Sequence, residues 1–374
     1  MVSPISPRAS ARAPWSRCRE LDGPAVVKHP PLAPGHVDAP HRVFAIGDLA
    51  LESGATIVDY RQVFVVHGTL NAERTNAVLV CPALTATHHR LDFLIGAGRA
   101  LDPARWCIVV ADPIGNGLST SPSNSTAQPG MRFPRFVLRD MVEAQRRLLV
   151  EHLGIERVHA VVGASMGGMQ ALQWAVSHPR FVEHVVAMTP MAKTAPWSVL
   201  VTGAARACLC ADPAWRGEQQ GFASRPERGW RAYTGLMNAL LMRTPDAVEA
   251  LGLASCDSTH RWFDDLVAQQ TALDFDAHDY LYQSWAYEAH DVGTTPGFGG
   301  DTGAALASVA ANALVLAPPL DLFNPAPAAR AAAAAMPRAR FVEILSKEGH
   351  LAATSLQAND AAFLNATIGA FLND

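Results

Sequence analysis

The sequence predicts an α/β fold with a mainly parallel central sheet, helices on both faces and a helical segment inserted late in the chain. Three observations carry this. Short apolar, β-branched runs alternate with stretches of helical period up to about residue 190 and again from about residue 295. The stretch between them, 191–294, holds Trp197, Trp215, Trp230, Trp262 and Trp285 in long helical runs without a β-branched strand. Finally, Gly163-Ala164-Ser165-Met166-Gly167 joins an apolar strand, Val158–Val162, to a segment of helical composition, Gln170–His178.

Taken in order, residues 1–40 are rich in Pro, Ala and Arg without hydrophobic period, and are expected to form a poorly ordered arm. Arg8, Arg12, Arg17 and Arg19 precede the first acid, Glu20, but no apolar h-region of a secretory signal follows them. The sheet begins with Arg42–Ile46, Val58–Val66 and Ala77–Cys81, separated by turn residues. Trp106–Ala111 is a further buried strand, ending in the turn-rich loop Asp112-Pro113-Ile114-Gly115-Asn116-Gly117. Phe136–Leu153 has apolar residues at helical spacing, closed by Gly154. Val182–Met188 is a strand, and after the insert two more, Ala313–Ala317 and Arg340–Leu345, bracket the alanine-rich helix Ala326–Met336. The organisation is an arm (1–40), a core (41–190 and 295–374) and a helical lid (191–294).

Composition excludes several functions. A net charge of −4 without a long basic run argues against nucleic acid as a partner. No run of 18 uncharged apolar residues is present to span a membrane. Six cysteines are too few and scattered for a disulfide framework, which points to reduced thiols in cytoplasm, with Cys81 and Cys107 buried and inert. Motifs for zinc, dinucleotide and nucleotide phosphate are missing, so neither a cofactor nor a metal is expected. The pair His88-His89 has no third ligand near it in sequence, and reads as loop residues near the site.

Gly-x-Ser-x-Gly between strand and helix is the pattern of a nucleophile elbow. Small residues flank the serine because a Cβ at Gly163 or Gly167 would strike the neighbouring helix or strand, and the helix that follows aims its N-terminal N–H groups at a developing oxyanion. Serine is a weak nucleophile without a histidine in reach and a carboxylate to hold that histidine. Asp321 follows the strand ending at Ala317, and His350 follows the one ending at Leu345, which puts both at the carboxyl end of the sheet in the chain order Ser, acid, His. The rivals Asp291 and Asp301 follow no strand. Cys81-Pro82-Ala83-Leu84-Thr85 leaves a central strand, where a second oxyanion N–H is expected.

Several segments together resemble the homoserine O-acetyltransferase-like family of α/β-hydrolases, from about residue 55 onward. They are Ala83-Leu84-Thr85, the run from Asp92 to Asp102, the run from Gly163 to Trp174, Ala211-Asp212-Pro213-Ala214-Trp215, the run from Phe275 to Leu281, and Gly349-His350. The resemblance implies that Leu84 and Met166 supply the oxyanion-hole N–H groups, and that the helical lid carries a homodimer contact. Two departures tilt it toward the esterase branch. The loop Gly115–Asn124 lacks the Gly-Ser-Thr-Gly-Pro-Ser-like run of the transferases, and His350 is followed by Leu351 rather than aspartate. The lid's Thr-Tyr-Arg-Ser run, which in the transferases helps hold the amino acid, is echoed only by Leu241-Met242-Arg243-Thr244. The expected activity is therefore hydrolysis of small, short-acyl esters through an acyl-enzyme on Ser165. The alternative is acyl transfer from an acyl-CoA to the hydroxyl of homoserine or serine.

Overall fold

The structure, a computed structural model, describes Leu32 and residues 35–374. Its sheet has eight strands: β1 (Arg42–Ala50), β2 (Thr56–His67), β3 (Ala77–Cys81), β4 (Cys107–Ala111), β5 (Val158–Ala164), β6 (Val182–Met188), β7 (Asn312–Ala317) and β8 (Ala339–Glu343). They lie in the order β1-β2-β4-β3-β5-β6-β7-β8. β1 and β2 run antiparallel to their neighbours, and every pairing from β4 to β8 is parallel.

The helices are α1 (Leu138–Arg147), α2 (Met166–Ser177), α3 (Pro196–Cys210), α4 (Glu227–Thr234), α5 (Pro245–Glu249), α6 (Cys256–Ala272), α7 (Ala277–Glu288), α8 (Thr302–Ala307), α9 (Ala326–Ala335) and α10 (Ala358–Phe371). β3 and β4 are buried at every residue, as continuous apolar strands must be when both faces are covered. One face packs on α1, α2, α8 and α9, and the other on α10 and the short helical turn His88–Leu94.

Registration levels the functional loops. Cys81 pairs with Gly163, Gly163 with Ala187, Ala187 with Val315, and Val315 with Phe341. The chains leaving β3, β5, β7 and β8 therefore emerge side by side at one edge of the sheet.

Residues 191–294 run through α3–α7, and among the described residues they contain no strand, only isolated bridges. The ends of this insert meet. Val292 N–H donates to Ala192 O at 2.9 Å, Thr194 N–H to His290 O at 2.9 Å, and Lys193 Nζ lies 3.0 Å from Asp291. Of the arm, residues 1–31 and 33–34 lie outside the described residues. Its end packs on the core, where Val37 N–H donates to Asp92 at 2.7 Å and His36 stacks on His89 at 4.2 Å.

Three element boundaries differ from expectation by more than two residues. α2 starts at Met166, four residues early, because Gly167 and Gly168 are poor helix formers that close packing nonetheless demands in the first turn. The helix expected over Phe136–Leu153 is α1 followed by one π-helical turn, Leu148–His152, before Gly154 at φ +64°. β1 runs on to Ala50 because two irregularities around Gly47, itself at φ +77°, let the strand bend without ending.

Behind the Ser165 turn lies a closed polar network. Trp174 Nε1 donates to Gln145 Oε1 at 2.8 Å, Gln145 Nε2 donates to Gln170 Oε1 at 2.7 Å, and all three side chains are buried. Gln145→Leu strands the indole N–H and the Gln170 carbonyl oxygen together, so it should cost about 2–4 kcal/mol in urea unfolding. An unchanged midpoint would show that the network adds nothing to stability.

Candidate active site

β5 ends in a turn that holds Ser165 at φ +56° and ψ −123°, a strained conformation for a residue with a Cβ. Its N–H is anchored to Met188 O at 2.9 Å. The flanking glycines admit no substitute. A Cβ on Gly163 would lie 2.1 Å from Gly167 O, and one on Gly167 would lie 2.0 Å from Cys81 O. So α2 is pressed against β5 and β3 over backbone alone, as the sequence implied.

Ser165, Asp321 and His350 come together. His350 Nε2 lies 2.9 Å from Ser165 Oγ, and His350 Nδ1 lies 2.8 Å from Asp321 Oδ2. The other carboxylate oxygen accepts the N–H groups of Phe323 and Asn324, each at 2.8 Å. A carboxylate so held is an acceptor toward the imidazole; Nδ1 then carries the proton and Nε2 is left to receive one from Ser165. All three residues are buried, with 5% or less of their surface exposed.

The support around Asp321 had no signal in the sequence pattern. Phe323 sets its ring edge-on to His350 at 5.0 Å and stacks on Tyr287. The Tyr287 hydroxyl donates to Asn324 Oδ1, and Asn324 Nδ2 donates to Thr189 O at 2.7 Å. Burial, reinforced by the charge of Asp321, holds the Tyr287 phenol well above its ordinary range, so it stays a donor. The rivals have other work: Asp291 pairs with Lys193 and Thr302, and Asp301 caps α8.

Met166 opens α2, so its N–H is one of the first-turn donors that the helix leaves unbonded. Leu84 is buried in the loop leaving β3, the strand next to β5. His88 and His89 each have a carboxylate partner: His88 Nδ1 meets Asp112 at 2.9 Å, and His89 Nδ1 meets Asp92 at 2.6 Å. The second nitrogen of His88 faces His41, so the His88–Asp112 pair reaches no serine.

His89 does line a cavity of about 930 Å³ between the core loops and the insert, beside Thr85, Asn116 and Asp279. Ser165 and His350 are not among its lining residues. Asp279 accepts from Ser123 N–H at 2.9 Å and from the Ser123 hydroxyl, and burial, with Asp276 nearby, raises its carboxyl well above the usual range. A further cluster, His159, Glu183 and His184, has ligand atoms within 4.8 Å of one another. Its imidazoles already meet Leu372 O, His159 O and the Asn312 amide, and Arg157 lies 3.7 Å from Glu183.

The chain is similar to known proteins. Residues 76–205 fit the model of the alpha/beta hydrolase fold. The ethyl acetate hydrolase of Pseudomonas veronii is 32% identical over 335 residues, covering 87% of this chain and 93% of that protein. The chain belongs to the homoserine O-acetyltransferase-like family of α/β-hydrolases. Both chemistries of this family are near. The homoserine O-succinyltransferase of Leptothrix cholodnii is 33% identical, covering 84% of this chain and 92% of that one. The crystal structure of an acetylester hydrolase from Corynebacterium glutamicum superposes with a TM-score of 0.82 at 30% identity, covering 90% of this chain and 96% of that one.

The turn that carries Ser165 tolerates no Cβ at its glycines. Gly167→Ala should lower stability by about 3 kcal/mol, because its Cβ meets backbone that cannot swing aside. Gly203→Ala, on α3 with only a distal Arg206 atom within 4 Å, is the control and should be nearly neutral in the same thermal melts.

Proposed function

We propose that this protein is a serine esterase that cleaves short-chain, acetyl-type carboxylic esters through an acyl-enzyme on Ser165. The observation that carries the reading is the unbroken hydrogen-bonded line from Ser165 Oγ through His350 to Asp321 at the carboxyl edge of the sheet. His350 takes the Ser165 proton as the hydroxyl attacks the ester carbonyl, and returns it to the departing alcohol. Asp321 holds the imidazole in the required tautomer. The N–H groups of Leu84 and Met166 receive the oxyanion. Water then repeats the sequence on the acyl-enzyme, with His350 as base.

Water rather than an amino acid is favoured as acceptor by the state of Arg243. A zwitterionic acceptor needs a cation for its carboxylate, since burying that charge unpaired costs several kcal/mol. Arg243 stands in the segment that echoes the transferase motif, but it lies over the Trp262 ring and 3.7 Å from Glu348. The insert acts as a lid over the site, and the exposed Trp197 and Leu200 of α3 supply apolar surface for a homodimer. A cytoplasmic setting fits the five free cysteines among the described residues; no helix among them is long and apolar enough to cross a membrane.

Two experiments test this. Ser165→Ala and His350→Ala should each cut hydrolysis of 4-nitrophenyl acetate to a residue of about 10³–10⁴ over water, with the double variant little worse. Asp321→Asn should be severe as well, and a Ser165→Ala protein with a tenth of native activity rules out the nucleophile. For the acceptor, purified protein given acetyl-CoA and millimolar L-homoserine or L-serine should yield free acetate, as read by mass spectrometry. If most acyl groups appear instead on the amino-acid hydroxyl, the protein is a transferase.

A further inference from the structure

One fully buried side chain of the lid, Gln283 of α7, hydrogen-bonds the loop after β3. Its Oε1 accepts the Thr85 N–H at 3.0 Å, and its Nε2 donates to Ile114 O at 3.1 Å. It thereby joins the loop after β3 to the loop after β4. Asp279, one helical turn earlier on α7, holds Ser123 in the second of these loops, so the two side chains form one face directed at the core.

The loop after β3 needs such a hold. Ala86 N–H donates to Ala83 O at 3.1 Å, closing a four-residue turn whose third position, Thr85, has φ +60°. Positive φ at the third position alone is the mark of a type II turn, where glycine or asparagine is the usual residue. A β-branched threonine there is strained, and flipping the central Leu84–Thr85 peptide would relieve it by returning Thr85 to negative φ. The bond from Thr85 N–H to Gln283 opposes that flip, because the flipped peptide would turn the Leu84 carbonyl, a second acceptor, toward Gln283 Oε1.

We infer that Gln283 is a positioning residue for the oxyanion hole: from the lid, it pins the strained turn on which Leu84 stands, and with it the place of the Leu84 N–H. This rests on the esterase reading above and adds to it a physical link between lid and oxyanion site. The role is indirect, since Gln283 bonds Thr85 and Ile114 rather than the reacting atoms.

The test uses the full-length protein carrying Gln283→Leu or Gln283→Glu, with folding checked by circular dichroism and thermal melts. For 4-nitrophenyl acetate, kcat of Gln283→Leu should fall about 10- to 100-fold, as for a donor displaced but not deleted, while KM moves little. A trifluoromethyl ketone, whose adduct with Ser165 places an oxyanion in the hole, should lose affinity in the same ratio. Gln283→Glu adds a signature that looser packing would not produce. Its protonated carboxyl can donate to Ile114 O and accept from Thr85 N–H, whereas the carboxylate is repelled by Ile114 O and so breaks the link between the two loops. Burial raises the pKa of that carboxyl, so kcat should gain a fall on the alkaline side that the native enzyme lacks. If Gln283→Leu does not fold, this pH profile and the ketone affinity of Gln283→Glu decide the matter. Native ketone affinity and an unaltered alkaline limb in the folded variants, or a loss confined to KM, overturn the inference. Activity surviving in Ser165→Ala would instead remove the reading beneath it, so the two failures are separable.

Discussion

Everything at this site depends on how closely a helix can approach a sheet. With no side chain between Gly163 and Gly167, or between Gly167 and the Cys81 carbonyl, the first turn of α2 rests on backbone. That contact forces the chain to reverse within the span of Ser165 and leaves the serine in a conformation that an unrestrained peptide avoids. Strain of this kind persists only where surrounding structure over-determines it. Here the anchors are the bond from Ser165 N–H to Met188 O and a helix whose first eleven residues are all buried.

The same sheet brings Ser165, His350 and Asp321 into line. Because β5, β6, β7 and β8 are in register, the loops carrying Ser165, Asp321 and His350 start from neighbouring points and need no long excursion to meet. Asp321 is fixed by the backbone N–H groups of Phe323 and Asn324, and the Phe323 ring packs on both Tyr287 of α7 and the imidazole. The orientation of His350 thus draws on the insert as well as the core. Buried polar groups that are all satisfied hold geometry more tightly than apolar contact alone.

Much of this was legible in the chain. Strands with both faces covered announce themselves as unbroken apolar runs, as Ala77–Cys81 does, and glycines around a serine at a strand end state their reason plainly. Asp321 and His350 follow the last two strands, and in a parallel sheet position after a strand is position in space. Other parts were silent for a physical reason. Gln283 meets Thr85 across 198 residues, and Tyr287 meets Asn324 across 37, with no period or spacing to mark either contact. The start of α2 was obscured for the opposite reason, since local propensity argues against a helix at Gly167-Gly168 and tertiary packing overrules it. His88 and His89 needed the fold as well, because the carboxylate of Asp112 reaches His88 only after β4 is laid beside β3.

The paired neck of the insert has a consequence for how such a protein diversifies. Ala192–Thr194 and His290–Val292 lie against each other, so the core sees the same two chain ends and the inward face of α7, with Asp279, Gln283 and Tyr287, whatever helices are looped out before it. Helices there can lengthen, rotate or exchange charged residues without disturbing the register of β6 and β7, which flank the excursion. The sheet with its Ser165 turn and the helices before α7 are in this sense separately heritable. An ester hydrolase and an amino-acid acyltransferase can descend from one scaffold by revising a single loop-out, while the sheet passes down unaltered.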